Sequence, residues 1–233
     1  MIDLYFWPTP NCYKVSILLE ELGLPYNVKP VHIGKGEQFQ PAYEAINPNG
    51  KVPALVDHDG PEGKPMGIFE SGAIMIYLAD KAGRFLPTDT APRMAVLQWL
   101  MFQMSAVGPL LGQAHHFRKY AKTQIPYAVE RYTREATRIY GVLDKRLADT
   151  PYLAGEYSIA DMAVYPWLRP YRWQGQELSE FTNLQRWYSA VRARPAVQDG
   201  LAVLKERHER NKAKPAGAAW DTLFGGHRPD ARP

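Results

Sequence analysis

Residues 49 to 78, NGKVPALVDHDGPEGKPMGIFESGAIMIYL, constrain the fold more than any other part of the chain. They read as a turn (Asn49-Gly50-Lys51), a short strand (Ala54 to Val56), a polar hairpin, a second strand ending at Phe69, and a helix opening at Glu70-Ser71-Gly72. Val52-Pro53 joins the turn to the strand, and an X-Pro bond is where a cis peptide costs only about 0.5–1 kcal/mol. A cis bond there leaves the Val52 N–H and C=O unpaired, able to hold the backbone of an extended peptide-like ligand as an added strand would. The Ser71 hydroxyl and the first-turn N–H groups sit at a helix N-terminus, which attracts a carboxylate, while the neighbouring Glu70 suits an amino group. Together they fit the zwitterionic end of an amino acid. A tight turn followed by a capped helix, with no ligand at all, accounts for the same residues.

VPALVD followed at short spacing by ESGAIMIYL resembles the glutathione-binding half of the cytosolic glutathione transferases. The resemblance implies that Val52 and Pro53 meet the cysteinyl backbone of glutathione and that Glu70 and Ser71 hold its γ-glutamyl group.

The flanking sequence supports a domain built around this stretch. Ile2, Leu4 and Phe6 alternate with Asp3, Tyr5 and Trp7, the period of a strand, and Pro8-Thr9-Pro10-Asn11 breaks it. Val15, Leu18, Leu19 and Leu22 give the following helix one apolar face, and Gly23 stops it. Tyr26 to Ile33 reads as a second strand, parallel to the first across the helix. Residues 34 to 50 suit a loop or short irregular helix. The sum is β-α-β-loop-β-β-α, an α/β thioredoxin-like domain over 1–83, with 84–90 as a linker.

Beyond the linker the strand signal fades. Long helical stretches over Ala91 to Gly112 and Pro126 to Leu147, a capping signature at Ser158-Ile159-Ala160-Asp161, and helices over Leu184 to Ala193 and Pro195 to Leu204 predict an all-α domain over 91–204. The serine-to-aspartate cap is also one that the transferase family carries. Residues 205–233 are charged, rich in Gly and Pro and weakly periodic, which predicts an extended basic tail. Trp220, Leu223 and Phe224 form an apolar cluster within it, of the kind that docks on the body or on a partner.

Composition narrows the function classes. Of 233 residues 45% are hydrophobic, ample for a core, and the net charge of +4 comes from Lys and Arg interspersed with Asp and Glu. That distribution argues against a nucleic-acid surface. MIDLYFWP has neither a basic leader nor a membrane-length apolar run, and a single cysteine excludes an intramolecular disulfide, so the cytoplasm is the expected location, with no membrane partner. His115-His116 lack further ligands at matching spacing, so no metal is expected.

The chemistry concentrates at the first helix. Thr9, Asn11 and Cys12 lie at its N-terminus, where hydroxyl and amide donors and the helix's partial positive charge favour a thiolate over a thiol of pKa about 8.5. WPTPN, GKGEQF, LGQAHHF and IPYAVERY resemble the nu-class transferases, bacterial glutathione-dependent disulfide-bond oxidoreductases in which a Thr and an Asn do this work. Capping of the helix by Thr9 and Asn11 is the plainer alternative. Matching the family puts the catalytic position at Asn11, so Cys12, about 100° further round the helix, reads as buried filler.

The resemblance also implies that Gln38 and Lys51 contact glutathione and that Arg131 crosses a homodimer interface to a second glutathione. A solvated helix face serves equally for Arg131. His116, Phe117 and Tyr120, with Phe102 or Met104, are expected to wall the acceptor pocket. The implied activity is reduction of small-molecule disulfides by bound glutathione, two molecules or one glutathione disulfide per site. Conjugation of glutathione to electrophiles and a non-catalytic binding module are the alternatives.

Overall fold

The computed structural model describes residues 1–210 and 215–225. Strand β1 (Ile2–Phe6) buries Ile2, Leu4 and Phe6, as the alternation predicts, and helix α1 (Pro10–Leu22) follows the Pro8-Thr9 break. Thr9 caps α1, its Oγ1 accepting from the Cys12 N–H at 3.4 Å. Gly23 ends the helix at φ +67°, a left-handed conformation that glycine adopts without a Cβ penalty.

Strand β2 (Tyr26–Pro30) runs parallel to β1 with Ile2 opposite Tyr26. It stops short of Ile33 because its partner ends at Phe6, whose carbonyl accepts the last bond from the Val31 N–H. The polar stretch after it forms two 3-10 turns (Ile33–Lys35 and Glu37–Phe39) and the one-turn helix α2 (Pro41–Glu44). Strand β3 (Ala54–Asp57) is antiparallel to β1, and β4 (Met66–Phe69) is antiparallel to β3, so the sheet order is β2-β1-β3-β4. Helix α3 (Ser71–Ala82) completes the thioredoxin-like unit.

The second unit is helical. Helices α4 (Thr90–Phe102) and α5 (Gly108–His115) form one run punctuated by π-helical turns at Gln103–Val107 and His116–Tyr120. By length and composition this run is apolar enough to cross a bilayer; here it packs against α6 (Pro126–Leu147) and α7 (Ile159–Leu168). Helices α8 (Thr182–Arg192) and α9 (Pro195–Ala202) follow. The two units share α1, which packs on α3 from its own domain and on α7 and α9 from the other. The approach to α9 is close. The Ser16 hydroxyl donates to the Gly200 carbonyl at 2.8 Å, and a Cβ at Gly200 would lie 2.6 Å from the Ile17 Cα.

The tail departs from expectation. Lys205–Arg210 is a helix (α10), and Ala218–Phe224 is another (α11) packed against the Ile33–Lys35 turn. The Trp220, Leu223 and Phe224 cluster supplies the reason, since helical spacing gathers these side chains on the body of the protein. The rest of the expected extended segment, 211–214 and 226–233, lies outside the described residues.

The capping signature at Ser158 is present in both halves and serves more than a cap. Asp161, fully buried, accepts from the Ser158 N–H at 3.0 Å, the Leu153 N–H at 3.0 Å and the Trp187 indole N–H at 2.8 Å. With the Ser158 hydroxyl, which donates at 3.3 Å, Asp161→Ala strands four buried donors and is expected to cost about 3 kcal/mol or more, read as a lower urea midpoint at unchanged slope.

Candidate functional site

Two cavities meet at the N-terminus of α1. The larger, about 720 Å³, is lined by Asn11, Lys14, Glu70, Gln103, Met104 and His116 among others. The smaller, about 200 Å³, is lined by Thr9, Gln38, Gly50, Val52 and Ile33 among others. Asn11, Lys51, Trp167 and Leu223 face both.

The smaller cavity follows from the turn before β3. Val52-Pro53 is a cis peptide. The Tyr43 hydroxyl and the Asn47 amide donate to the Lys51 carbonyl at 2.5 and 2.7 Å and hold the turn in place. Among the described residues the Val52 N–H and C=O make no hydrogen bond. Gln38 is buried; its amide nitrogen donates to the Ile33 carbonyl at 3.1 Å, and its Oε1 has no partner.

At the end of β4 the chain turns sharply into α3. Glu70 holds φ +68°, a conformation that costs a non-glycine residue of order 1–3 kcal/mol and that gathers at ligand sites. Glu70 lines the larger cavity, and the buried Ser71 hydroxyl accepts from the Lys14 ammonium at 3.2 Å.

At α1 itself, the Trp167 indole N–H donates to Asn11 Oδ1 at 2.9 Å. That bond fixes the amide so that Nδ2, the donor end, remains for a ligand in the cleft. Thr9 caps the helix and borders the smaller cavity. Cys12 is fully buried, and desolvation pushes its thiol up to about 12, so it is neither reachable nor ionised at neutral pH.

The acceptor wall differs in part from the sequence-based expectation. His116 and Met104 face the larger cavity. Phe117 stacks on Tyr132, centroids 5.5 Å apart, and Tyr120 borders a separate aromatic cavity with His115 and Trp173; neither lines the cleft. The two π-helical turns explain this, since each widens the helix by a residue and re-aims the side chains that follow. Arg131, exposed on α6, lines a different groove with Tyr132, Arg134 and Arg138, apart from the cleft of its own chain.

The place Phe117 and Tyr120 were expected to fill is taken from further along the chain. Leu223 and Phe224 of α11 line the larger cavity. Phe224 lies 5.0 Å from the His116 ring and stacks on Tyr120 at 5.2 Å. The Trp220 indole N–H donates to the Tyr120 carbonyl at 2.9 Å, and Lys122 pairs with Asp221 at 2.8 Å. Sequence reasoning missed Lys14, Gln103 and Trp167 at this site. Lys14 is three residues after Asn11 and so one turn below it, a signal present in the sequence; Gln103 and Trp167 carry none.

Residues 9–81 match the family described as glutathione S-transferase, N-terminal domain, and residues 100–195 match glutathione S-transferase, C-terminal domain. The chain belongs to the glutathione S-transferase family. Among curated relatives of this family, it is 49% identical over 207 residues to the disulfide-bond oxidoreductase YfcG of Escherichia coli K12, covering 88% of this chain and 95% of that one. It is 41% identical to the disulfide-bond oxidoreductase YghU of the same organism, covering 91% and 80%. A glutathione transferase from Burkholderia graminis, solved with two glutathione molecules bound per subunit, superposes with a TM-score of 0.84 at 45% identity, covering 88% of each chain. One from Pseudomonas putida, solved with one glutathione disulfide per subunit, gives 0.84 at 42% identity, covering 87% and 91%.

The docked helix α11 yields a measurable expectation. Trp220→Ala removes the bond to the Tyr120 carbonyl and the ring beside Phe224, and the 218–225 amides should exchange with deuterium at least about tenfold faster by mass spectrometry, with the amides of β1 and β3 unchanged.

Proposed function

We propose that this protein reduces disulfides with glutathione, using a bound glutathione thiolate and no thiol of its own. One observation carries the reading: Asn11 stands where the two cavities meet, its donor end free, while the one cysteine is sealed in the core. The printed activities of YfcG and YghU and the ligands of the Burkholderia and Pseudomonas structures agree with it.

In this reading the γ-glutamyl end of the first glutathione lies at Glu70 and Ser71, its cysteinyl backbone pairs with Val52 beside Pro53, and Gln38 and Lys51 serve its glycyl end. Thr9 and Asn11 donate to the sulfur and hold it as a thiolate, helped by the N-terminus of α1. The thiolate attacks one sulfur of the substrate disulfide. A mixed disulfide forms and the other half leaves as a thiolate that takes up a proton. The thiolate of a second glutathione, in the larger cavity beside His116 and the α11 side chains, then attacks the glutathione sulfur. The remaining substrate thiolate departs, and glutathione disulfide is released.

Cytosolic glutathione is the reductant in this proposal. The functional unit is a homodimer in which Arg131 of one subunit reaches toward the second glutathione of the other, and Met94 and Met101, half-exposed on α4, supply apolar surface for pairing.

Asn11→Ala should lower kcat/KM for hydroxyethyl disulfide about 10- to 100-fold, the range for loss of one donor at a charged sulfur, while Cys12→Ala keeps most of the activity. The reverse ranking overturns the mechanism. Turnover of a chloronitrobenzene above that of the disulfide would instead make conjugation the activity of this site.

A further inference from the structure

Lys14 is an anomaly inside the site. It is 1% exposed, yet no carboxylate lies within ion-pairing distance of its ammonium among the described residues. Its partners are neutral: Ser71 Oγ at 3.2 Å, Gln103 Oε1 at 2.5 Å and Met104 Sδ at 3.4 Å. A buried cation without an anion is costly, and proteins keep one where a bound group completes it. The neighbouring Gln103 amide nitrogen is fully buried and also unpartnered. Both side chains line the larger cavity. The Lys14 ammonium, held between Ser71 Oγ and Gln103 Oε1, thus lies beside the N-terminus of α3, and the unpartnered Gln103 amide belongs to the same cavity wall; ammonium and amide can both donate to an anion bound there.

We infer that Lys14 and Gln103 form, with Ser71, the receptor for the α-carboxylate of the ligand's γ-glutamyl end, so that the ligand itself is the counter-ion of Lys14. This rests on the glutathione reading above and adds two binding residues to it. Glu70, which lines the same cavity, is then left for the ligand's α-amino group, and the site reads the zwitterion as a pair of opposite charges. Desolvation lowers the Lys14 ammonium to about 7, with Glu70 and Cys12 acting the other way, so the ligand-free site holds its charge only partly and an arriving carboxylate strengthens it. The π-helical turn at Gln103–Val107 has a purpose in this arrangement, since it directs Gln103 and Met104 together onto the Lys14 ammonium.

The test compares three probes by calorimetry: glutathione, glutathione with its γ-glutamyl α-carboxylate converted to the amide, and glutathione ethyl ester, blocked at the glycine. Lys14→Met should weaken glutathione and the glycyl ester about tenfold or more, the scale of a lost charge-assisted bond, and leave the α-amide unchanged. The ligand-free melting temperature of Lys14→Met should equal or exceed that of the parent, because an unpaired buried charge has been removed. Gln103→Glu offers Lys14 an internal anion and should likewise weaken glutathione and the ester but not the α-amide. Equal losses for all three probes, or a lower melting temperature with no discrimination among them, overturn the assignment. If the parent protein binds none of the probes at millimolar concentration, the glutathione reading itself fails, and with it this one.

Discussion

The rest of the structure depends on the burial of α1 from two sides. Eight residues of this helix, from Cys12 to Leu19, are buried, packed on α3 within the first domain and on α7 and α9 of the second. A helix held so firmly cannot shift, so its N-terminus becomes a fixed point on which both domains converge. Strand β1 feeds it from the sheet, and the Trp167 indole reaches it from α7. Directional donors are effective only when they are held in place before a ligand arrives. The fold puts Thr9 and Asn11 where its two cores are joined.

The helical domain contributes by irregularity. A regular helix from Thr90 to Tyr120 would repeat one face along its length; the π-helical turns break the phase twice. The first brings Gln103 and Met104 to Lys14, and the second swings Phe117 onto Tyr132 and Tyr120 beneath α11. The space so opened is walled by Leu223 and Phe224, so helix α11 of the chain itself forms part of the cleft.

Much of the fold was legible in the sequence because its signals are local. The alternation of β1, the glycine stop at Gly23, the proline break at Pro8 and the Ser158–Asp161 cap act within a few residues of chain, and each sits where the pattern predicts. Thr9, Asn11, Lys51, Val52, Glu70 and His116 come together at the cavities from the start of α1, the turn before β3, the start of α3 and the end of α5. Phe117 and Tyr120 lie off the larger cavity for an equally physical reason: the π-helical turn at His116–Tyr120 re-aims its side chains, and no local pattern in the sequence marks that turn.

The sequence by itself determined the order of strands and helices up to Leu204, the stop at Gly23 and the cap at Ser158, and that a Thr and an Asn open the first helix, since propensities and caps are properties of neighbouring residues. Only the tertiary structure decided that Lys14 is sealed from water, that Trp167 orients Asn11 and that Trp220 anchors α11. These contacts join residues 57, 156 and 100 positions apart in the chain. At such separations no local pattern specifies the partner. Which groups meet is set by how the two domains pack around α1, and the charge state of a lysine or the free end of an amide follows from that packing.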